Sequence, residues 1–365
     1  MNKKLIAIAV AAVVVVAAVV TLLVWKPWSA DENTSAPTAP STSEAMVTDE
    51  PAADEPAKQE TTEQAPEPAA PATPVGYYGE MIANGNQIIG SKTNQHMRVT
   101  GMSFFWSNWS QKYYTKEYVD LMVDDFQCEV VRCSYGIQDN GVPYDPSCVP
   151  LIYDVIEQAI ERGVYVLVDW HAHGAHNNPE ESIAFFTELA QKYGQYDNLV
   201  FEIYNEPMNV GWAQIKEYAE IVIPEIRKYS DNLIIVGTPN WSQDVVAAAN
   251  DPVVGDNIAY ALHFYAGTHT QWLRDNGTKA MNAGIPLFVT EWGSVNADGN
   301  GRPNEQSTAE WFAWIDANGL SSCNWAINDK DEGSSVFSSD AQISDTGIYI
   351  RGLIQERTAN SPWRG

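Results

Sequence analysis

Short apolar runs with the composition of buried strands alternate with longer amphipathic segments from residue 76 onward. This alternation leaves few folds open, because strand–helix repeats build a parallel sheet that is covered by helices. Eight strand-like runs predict a (β/α)8 TIM barrel of the α/β class, and a doubly wound open sheet is the alternative. The predicted strands are residues 97–105, 129–135, 164–171, 198–206, 232–239, 258–265, 286–293 and 321–327.

The first 28 residues predict a membrane anchor or an uncleaved signal segment. Residues 5–25 carry no charge, and Lys3 and Lys4 precede them. A run of this length is sufficient to span a bilayer, and the two lysines favour a cytoplasmic N-terminus. We therefore expect an exported protein that is anchored to the cytoplasmic membrane with its catalytic domain outside, in the periplasm or at the cell surface. Cleavage of the segment, which would release a secreted protein, is the alternative.

Two further segments complete the predicted organisation. Residues 29–75 are rich in Pro, Ala, Thr and Glu and have almost no large apolar side chains, which predicts a disordered linker. Residues 76–365 form the predicted catalytic domain, which opens with a β-hairpin around Asn84 and Gly85.

Charge and aromatic content limit the partners of the chain. Its formal net charge of −26 argues against binding to nucleic acid, because such proteins need a basic surface. A neutral or cationic substrate is therefore expected. Thirteen Trp residues suggest carbohydrate, since indole rings stack on the flat C–H faces of sugars, although ordinary core packing is the alternative.

The four cysteines have no zinc-site spacing. A bridge between Cys133 and Cys148 is one interpretation in an oxidising compartment, and free buried thiols are the other.

Six predicted strands end in polar or aromatic residues, which are Arg132, His171, Glu206, His263, Glu291 and Trp325. The strand ends of a (β/α)8 barrel meet at its C-terminal face, where active sites form. Because side chains alternate along a strand, Glu206 shares a face with Tyr204 and Glu202, and Glu291 shares a face with Leu287 and Val289. If these faces point to the barrel axis, the two Glu residues converge above the core.

Two converging carboxylates ringed by aromatic residues are what glycoside hydrolysis requires. One carboxyl group must donate a proton and the other must be ionised, and Arg132 is placed to keep a carboxylate ionised. His171 and His263 are candidate donors to sugar hydroxyls. A metal site that combines His171 with His173 and His176 is the alternative, but no acidic zinc motif accompanies these residues.

Residues 76 to about 358 resemble glycoside hydrolase family 5, and in particular its bacterial endoglucanase subfamily. The stretches that carry the resemblance are VVRCSYG, VYVLVDWH, NLVFEIYNEP, NLIIVGTPNWSQDV, ALHFYAGTH, PLFVTEWGS and NWAINDKDEG. The resemblance implies that Glu206 is the general acid/base and that Glu291 is the nucleophile. It also implies substrate-binding or positioning roles for Arg132, Tyr135, His171, Asn205, Trp241, His263, Tyr265, Trp325, Lys330 and Glu332.

The implied activity is hydrolysis of internal β-1,4-glucosidic bonds with retention of configuration, without metal or other cofactor, by a protein expected to be monomeric. Retention requires the two carboxyl groups to stand about 5–5.5 Å apart. Mixed-linkage β-glucan and β-mannan are the alternative substrates. A non-catalytic glycan-binding barrel is the alternative class, although the presence of both Glu206 and Glu291 argues against it.

Overall fold

The computed structural model describes residues 73–340 and 342–364. Within them, eight parallel strands close into a barrel in which each strand pairs with its neighbours in sequence and the last pairs with the first. The predicted (β/α)8 barrel is therefore confirmed, and the open-sheet alternative is wrong. The barrel strands are β3 (Thr100–Phe104), β4 (Val130–Gly136), β5 (Tyr165–His171), β6 (Leu199–Glu202), β7 (Ile234–Val236), β8 (Ile258–Tyr265), β9 (Leu287–Gly293) and β10 (Ser322–Ile327).

Helices cover the outside of the barrel. The described helices are α1 (Pro74–Tyr78), α2 (Lys116–Asp124), α3 (Val149–Arg162), α4 (Pro179–Tyr193), α5 (Trp212–Ile226), α6 (Pro239–Ser242), α7 (Val245–Asn250), α8 (Gln271–Asn282), α9 (Glu305–Ala317) and α10 (Asp345–Thr358). Helix α3 illustrates the pattern, because its Ile152, Val155, Ile156 and Ala159 recur at helical spacing and are buried. It ends at Gly163, whose φ of 65° suits glycine.

An N-terminal β-hairpin closes the lower end of the barrel. Strands β1 (Met81–Asn84) and β2 (Gln87–Gly90) pair in antiparallel fashion, as predicted. Met81 and Ile88 join one buried cluster with Leu167 and Phe288 of the barrel interior. The hairpin therefore fills the end of the barrel opposite to the predicted active site.

The described residues begin slightly before the predicted domain boundary at residue 76. Helix α1 starts at Pro74, and the Thr73 hydroxyl caps it by accepting a hydrogen bond from the Gly76 amide at 3.1 Å. The amide of the buried Val75 donates to the carbonyl of Gly163 at 3.1 Å. These contacts tie residues 73–75 to the barrel.

The alternation assumed for the strand that precedes Glu206 holds for Glu202, which pairs with the buried Arg132, but it is wrong for Tyr204. Strand β6 ends at Glu202, and the segment after it is irregular. Tyr204 does not face the barrel axis, because its ring packs 5.5 Å from that of Tyr218 in α5. Glu206 therefore reaches the C-terminal mouth because the strand has already ended, and not because it shares a face with Tyr204.

The assumed alternation also fails in β9. Leu287 and Val289 pack in the outer layer between strands and helices. The pairing with β8 then shifts by one residue, since Phe288 lies opposite Ala261 whereas Glu291 lies opposite His263. This bulge turns Glu291 into the barrel mouth.

Cys128, Cys133, Cys148 and Cys323 are free and buried. The interpretation of these cysteines as free thiols thus agrees with the structure, and a Cys133–Cys148 bridge is absent from it.

The predicted anchor (1–28) and all but the end of the predicted linker (29–75) lie outside the described residues. Among residues 73–340 and 342–364, no helix combines the length and the apolar character that a membrane crossing requires.

Candidate active site

Glu206 and Glu291 meet at the C-terminal mouth of the barrel. A carboxylate oxygen of each lies within 4.8 Å of the other and of a ring nitrogen of His263. Both Glu residues line two cavities, of about 490 Å³ and about 230 Å³. The close pair is thus accessible from two sides.

Glu291 accepts two hydrogen bonds that fix its carboxylate. The Tyr265 hydroxyl donates to Oε1 at 2.7 Å, and Arg132 Nη1 donates to Oε2 at 3.2 Å. Burial raises the pKa of Glu291, and the nearby Glu206 carboxylate raises it further, whereas Arg132 and Tyr265 oppose the shift. Without these two donors, the ionised form of Glu291 would be less stable still.

Glu206 lies between two histidines. His263 Nδ1 is 3.0 Å from Oε1, and His173 Nε2 is 3.7 Å from Oε2. Burial alone would raise the pKa of Glu206, but the contacts with His173 and His263 outweigh burial and lower it to about 2. Burial alone would lower the pKa of His263, but the neighbouring carboxylates, Glu202 and Glu206 first, raise it to about 9. The contact between Glu206 and His263 therefore favours the charged form of both groups.

Arg132 lies beneath the site and contacts both Glu291 and Asn205, the residue before Glu206. It is fully buried and forms ion pairs with Asp169 (2.8 Å), Glu202 (2.7 Å) and Glu291. Its Nη2 also donates to Oδ1 of Asn205 at 2.7 Å. The Asn205 side chain is therefore oriented by the same guanidinium that contacts Glu291.

Glu202 extends this network toward His263. Its Oε1 accepts a hydrogen bond from the Thr290 hydroxyl at 2.6 Å, and Thr290 Oγ1 is 2.8 Å from His263 Nε2. Both carboxylates of the predicted catalytic pair are thus connected through one buried polar network.

The predicted sugar-binding residues divide between the two cavities. Trp325, Lys330 and Glu332 line the smaller cavity, and Trp241 lines the larger one, and both cavities include Glu206 and Glu291. Trp325 stacks on His171 with ring centroids 5.0 Å apart, and Trp241 is 46% exposed. Aromatic faces are therefore present on both sides of the two carboxylates.

Comparison with known proteins identifies the family. The model for cellulases of glycosyl hydrolase family 5 matches residues 84–331. The chain belongs to glycosyl hydrolase family 5.

Similar proteins include several endoglucanases. Endoglucanase Z of Dickeya dadantii (strain 3937) is 45% identical over 280 residues, which cover 74% of this chain and 65% of that protein. This chain thus spans slightly less than two thirds of that relative. An endoglucanase of Clostridium saccharobutylicum is 36% identical over 302 residues, which cover 78% of this chain and 67% of that protein.

Solved structures show the same family fold. A protein of Cytophaga hutchinsonii superposes with a TM-score of 0.75 and 39% identity, covering 79% of this chain and 98% of that chain. The catalytic domain of Thermobifida fusca endoglucanase Cel5A superposes with a TM-score of 0.72 and 30% identity, covering 78% of this chain and 99% of that chain.

The assignment of Tyr135 to the substrate site of this family 5 barrel is wrong. Alternation along β4 sends Arg132 inward and Tyr135 outward, where the ring is 1% exposed. It packs against Trp170 and Phe185, with centroids 5.6 and 4.9 Å away. Tyr135 lines neither cavity of the site and belongs to the layer between strands and helices.

His171 at the end of β5 and His173 and His176 in the loop after it do not converge on a common metal position in the described structure. His171 Nδ1 is 2.6 Å from Asp169, and His176 Nδ1 is 2.8 Å from the Tyr204 hydroxyl. In the part of the chain that the structure describes, only the Glu206–His263–Glu291 group has a spacing that could hold a metal. Both ring nitrogens of His263 are already engaged in hydrogen bonds, which disfavours a metal there.

Sequence reasoning assigned no role to several site residues. Asp169, Glu202 and Thr290 are buried within strands and contact the predicted site from below, and of these only Glu202 was expected to face the barrel axis. An acidic residue in an otherwise apolar strand, such as Asp169 in VYVLVDWH, is the signal that could have found them. His173, to which no role was assigned, lies beside Glu206.

Proposed function

We propose that the protein is a retaining endo-β-1,4-glucanase. The observation that carries this proposal is the spacing of Glu206 and Glu291, since one carboxylate oxygen of each lies within 4.8 Å of the other. Retaining glycosidases place their carboxyl groups about 5–5.5 Å apart, whereas inverting enzymes need about 6.5–9.5 Å to accommodate a water molecule. The names of the related endoglucanases support β-1,4-glucan as the substrate.

In the first step, the Glu291 carboxylate attacks the anomeric carbon and the bond to the leaving oxygen breaks. Tyr265 and Arg132 hold the attacking carboxylate by hydrogen bonds. Glu206 donates a proton to the leaving oxygen, and a covalent glycosyl–enzyme remains. In the second step, Glu206 accepts a proton from water, and the resulting hydroxide releases the sugar from Glu291.

The acid/base role of Glu206 requires a path for a proton. His263 Nδ1 lies 3.0 Å from Oε1 of Glu206, so a proton can pass between the imidazole and the carboxylate. This contact gives Glu206 a proton partner within the site.

The two cavities support cleavage of internal bonds. A glucan chain that runs from the cavity of Trp325, Lys330 and Glu332 to that of Trp241 crosses the Glu pair. Sugars then lie on both sides of the scissile bond, on the non-reducing side near Trp325 and on the leaving-group side near Trp241. Asn205, which Arg132 orients, binds the 2-hydroxyl next to that bond, and His171 lines the same subsite.

We also propose that the protein acts outside the cytoplasmic membrane as a monomer that residues 1–28 anchor. The uncharged run of residues 5–25 supports this location. Washed membranes from expressing cells should retain the full-length protein; a shortened protein in the medium would favour cleavage and secretion.

Activity is tested by reducing-sugar release from carboxymethylcellulose, mixed-linkage β-glucan and glucomannan in parallel. We expect the highest rate on a β-1,4-glucan, a rapid loss of viscosity from internal cleavage, and a product of retained configuration by NMR. Faster cleavage of glucomannan would indicate a mannanase. Binding without sugar release would indicate a non-catalytic glycan-binding barrel.

A further inference from the structure

His173 is held against the segment that carries Glu206. Its backbone carbonyl accepts hydrogen bonds from the Tyr204 hydroxyl at 2.9 Å and from the Met208 amide at 3.2 Å. The Glu206 amide itself donates to the carbonyl of Ala172 at 3.1 Å. Hydrogen bonds therefore join the loop of His173 to the segment of Glu206, both before and after Glu206 in the sequence.

The His173 ring lies between two carboxylates. Its Nε2 is 3.7 Å from Glu206 Oε2, and its Nδ1 is 3.8 Å from Asp139 Oδ1. The ring also meets the indole of Trp106 edge-on, with centroids 5.7 Å apart. Trp106 and Asp139 thus limit the positions of the ring, and Nε2 points to Glu206.

We propose that His173 is a positioning residue for the acid/base carboxyl group of Glu206. His263 holds Oε1 from one side and His173 approaches Oε2 from the other, so the two histidines together fix the rotation of the carboxyl group. Catalytic contacts are often long in the free enzyme and shorten when substrate binds. The proposal rests on the proposed function, in which Glu206 protonates the leaving oxygen.

The charge of the ring is consistent with this role. Burial lowers the pKa of His173, but the contact with Glu206 outweighs burial and, together with Asp139 and Glu291, raises it. A protonated ring is a donor at both nitrogens and suits the carboxylates that face it.

A misplaced Glu206 carboxyl group should slow the cleavage only of substrates whose leaving group needs a proton. Cello-oligosaccharides have a poor leaving group and need proton donation, whereas an aryl cellobioside with an acidic phenol does not. For His173→Gln we expect kcat/KM on cellopentaose to fall on the order of tenfold and kcat/KM on the activated aryl cellobioside to stay within about twofold. Because kcat/KM covers steps through bond cleavage, the two substrates compare the same step.

The chain offers a matched control in His176, a histidine of the same loop that contacts the Tyr204 hydroxyl and not Glu206. His176→Gln should leave the ratio of the two kcat/KM values unchanged. Asp139→Asn, which alters an exposed side chain, should shift the ratio in the same direction as His173→Gln but less. Equal losses on both substrates for His173→Gln, or no loss on either, would overturn the proposal.

Glu206→Gln separates this inference from the proposed function. We expect it to lose activity on cellopentaose and to keep bond cleavage on the activated aryl cellobioside. If Glu206→Gln is equally inactive on both, the acid/base assignment itself is wrong. If Glu206→Gln behaves as expected and His173→Gln lowers both values equally, only the role of His173 is refuted.

Discussion

Arg132→Met should destabilise the barrel strongly, and more so as the pH rises. Arg132 is fully buried and pairs with Asp169, Glu202 and Glu291. Removal of one partner from a buried ion pair costs about 3–5 kcal/mol, because the remaining charge is left uncompensated. For a domain of this size, each kcal/mol of lost stability lowers the melting temperature by about 2–4 °C. The melting temperature should therefore fall by roughly 10 °C near neutral pH.

The pH dependence follows from the carboxylates that lose their cation. Burial already raises the pKa of Asp169 and Glu291 in the folded protein, and Arg132 opposes both shifts. Without Arg132, the folded-state pKa values rise further above those of the unfolded chain. A raised folded pKa contributes stability that is fully present below the unfolded value of about 4 and is lost as the pH rises through the folded value. The loss of stability of Arg132→Met relative to the wild type should therefore be smallest near pH 4.

Thermal unfolding followed by circular dichroism between pH 4 and pH 8 tests this expectation. Arg351→Met is the control, because Arg351 pairs with Asp125 at 2.9 Å where both side chains are partly exposed. Exposed pairs contribute about 0–1 kcal/mol, so this variant should melt close to the wild type at every pH. A deficit for Arg132→Met that does not change with pH, or one of the same size as the control, would refute the reasoning.

Three further outcomes are expected. Tyr265→Phe removes the 2.7 Å donor to Glu291, so the pKa of Glu291 should rise and the acidic limb of kcat/KM should move to higher pH; an unmoved limb contradicts this. A chain that begins at residue 76 should melt several degrees below one that begins at residue 70, because it lacks the Thr73 cap and the buried Val75; equal midpoints contradict this. Reducing agent should leave the melting temperature unchanged, since the four cysteines are free; a lowered midpoint would reveal a disulfide.

The barrel was predictable because its strands are buried on both faces. Such strands are continuous apolar runs, and β4, β5, β8, β9 and β10 lie within one residue of their predicted ends. The prediction was poorer for β3, β6 and β7, which are shorter than the predicted runs that contain them. In these strands the hydrogen bonds between neighbouring strands cover only part of the apolar run. Composition alone does not indicate where that pairing begins or ends.

The buried polar network under the site was not predictable from the same patterns. Asp169, Glu202 and Arg132 stand on three different strands, and nothing in the local sequence indicates which charge faces which. Their contacts depend on strand tilt and register around the closed barrel. His173 was missed for a related reason, because its loop has no regular period from which to infer a direction.

The convergence of Glu206 and Glu291 depends on two irregularities, which are the end of β6 at Glu202 and the bulge in β9. A strict alternation of side chains along a strand describes neither of them. Had β9 continued in the register that pairs Phe288 with Ala261, Thr290 would lie opposite His263 and Glu291 would follow Val289 outward. The one-residue bulge instead places Glu291 opposite His263 and leaves Thr290 in contact with Glu202 below it. Bulges commonly re-aim side chains next to active sites. Glu206 and Glu291 were therefore brought together on paper by an alternation that stops after Glu202 in one strand and after Thr290 in the other, and the bulge supplies the geometry that the alternation was assumed to give.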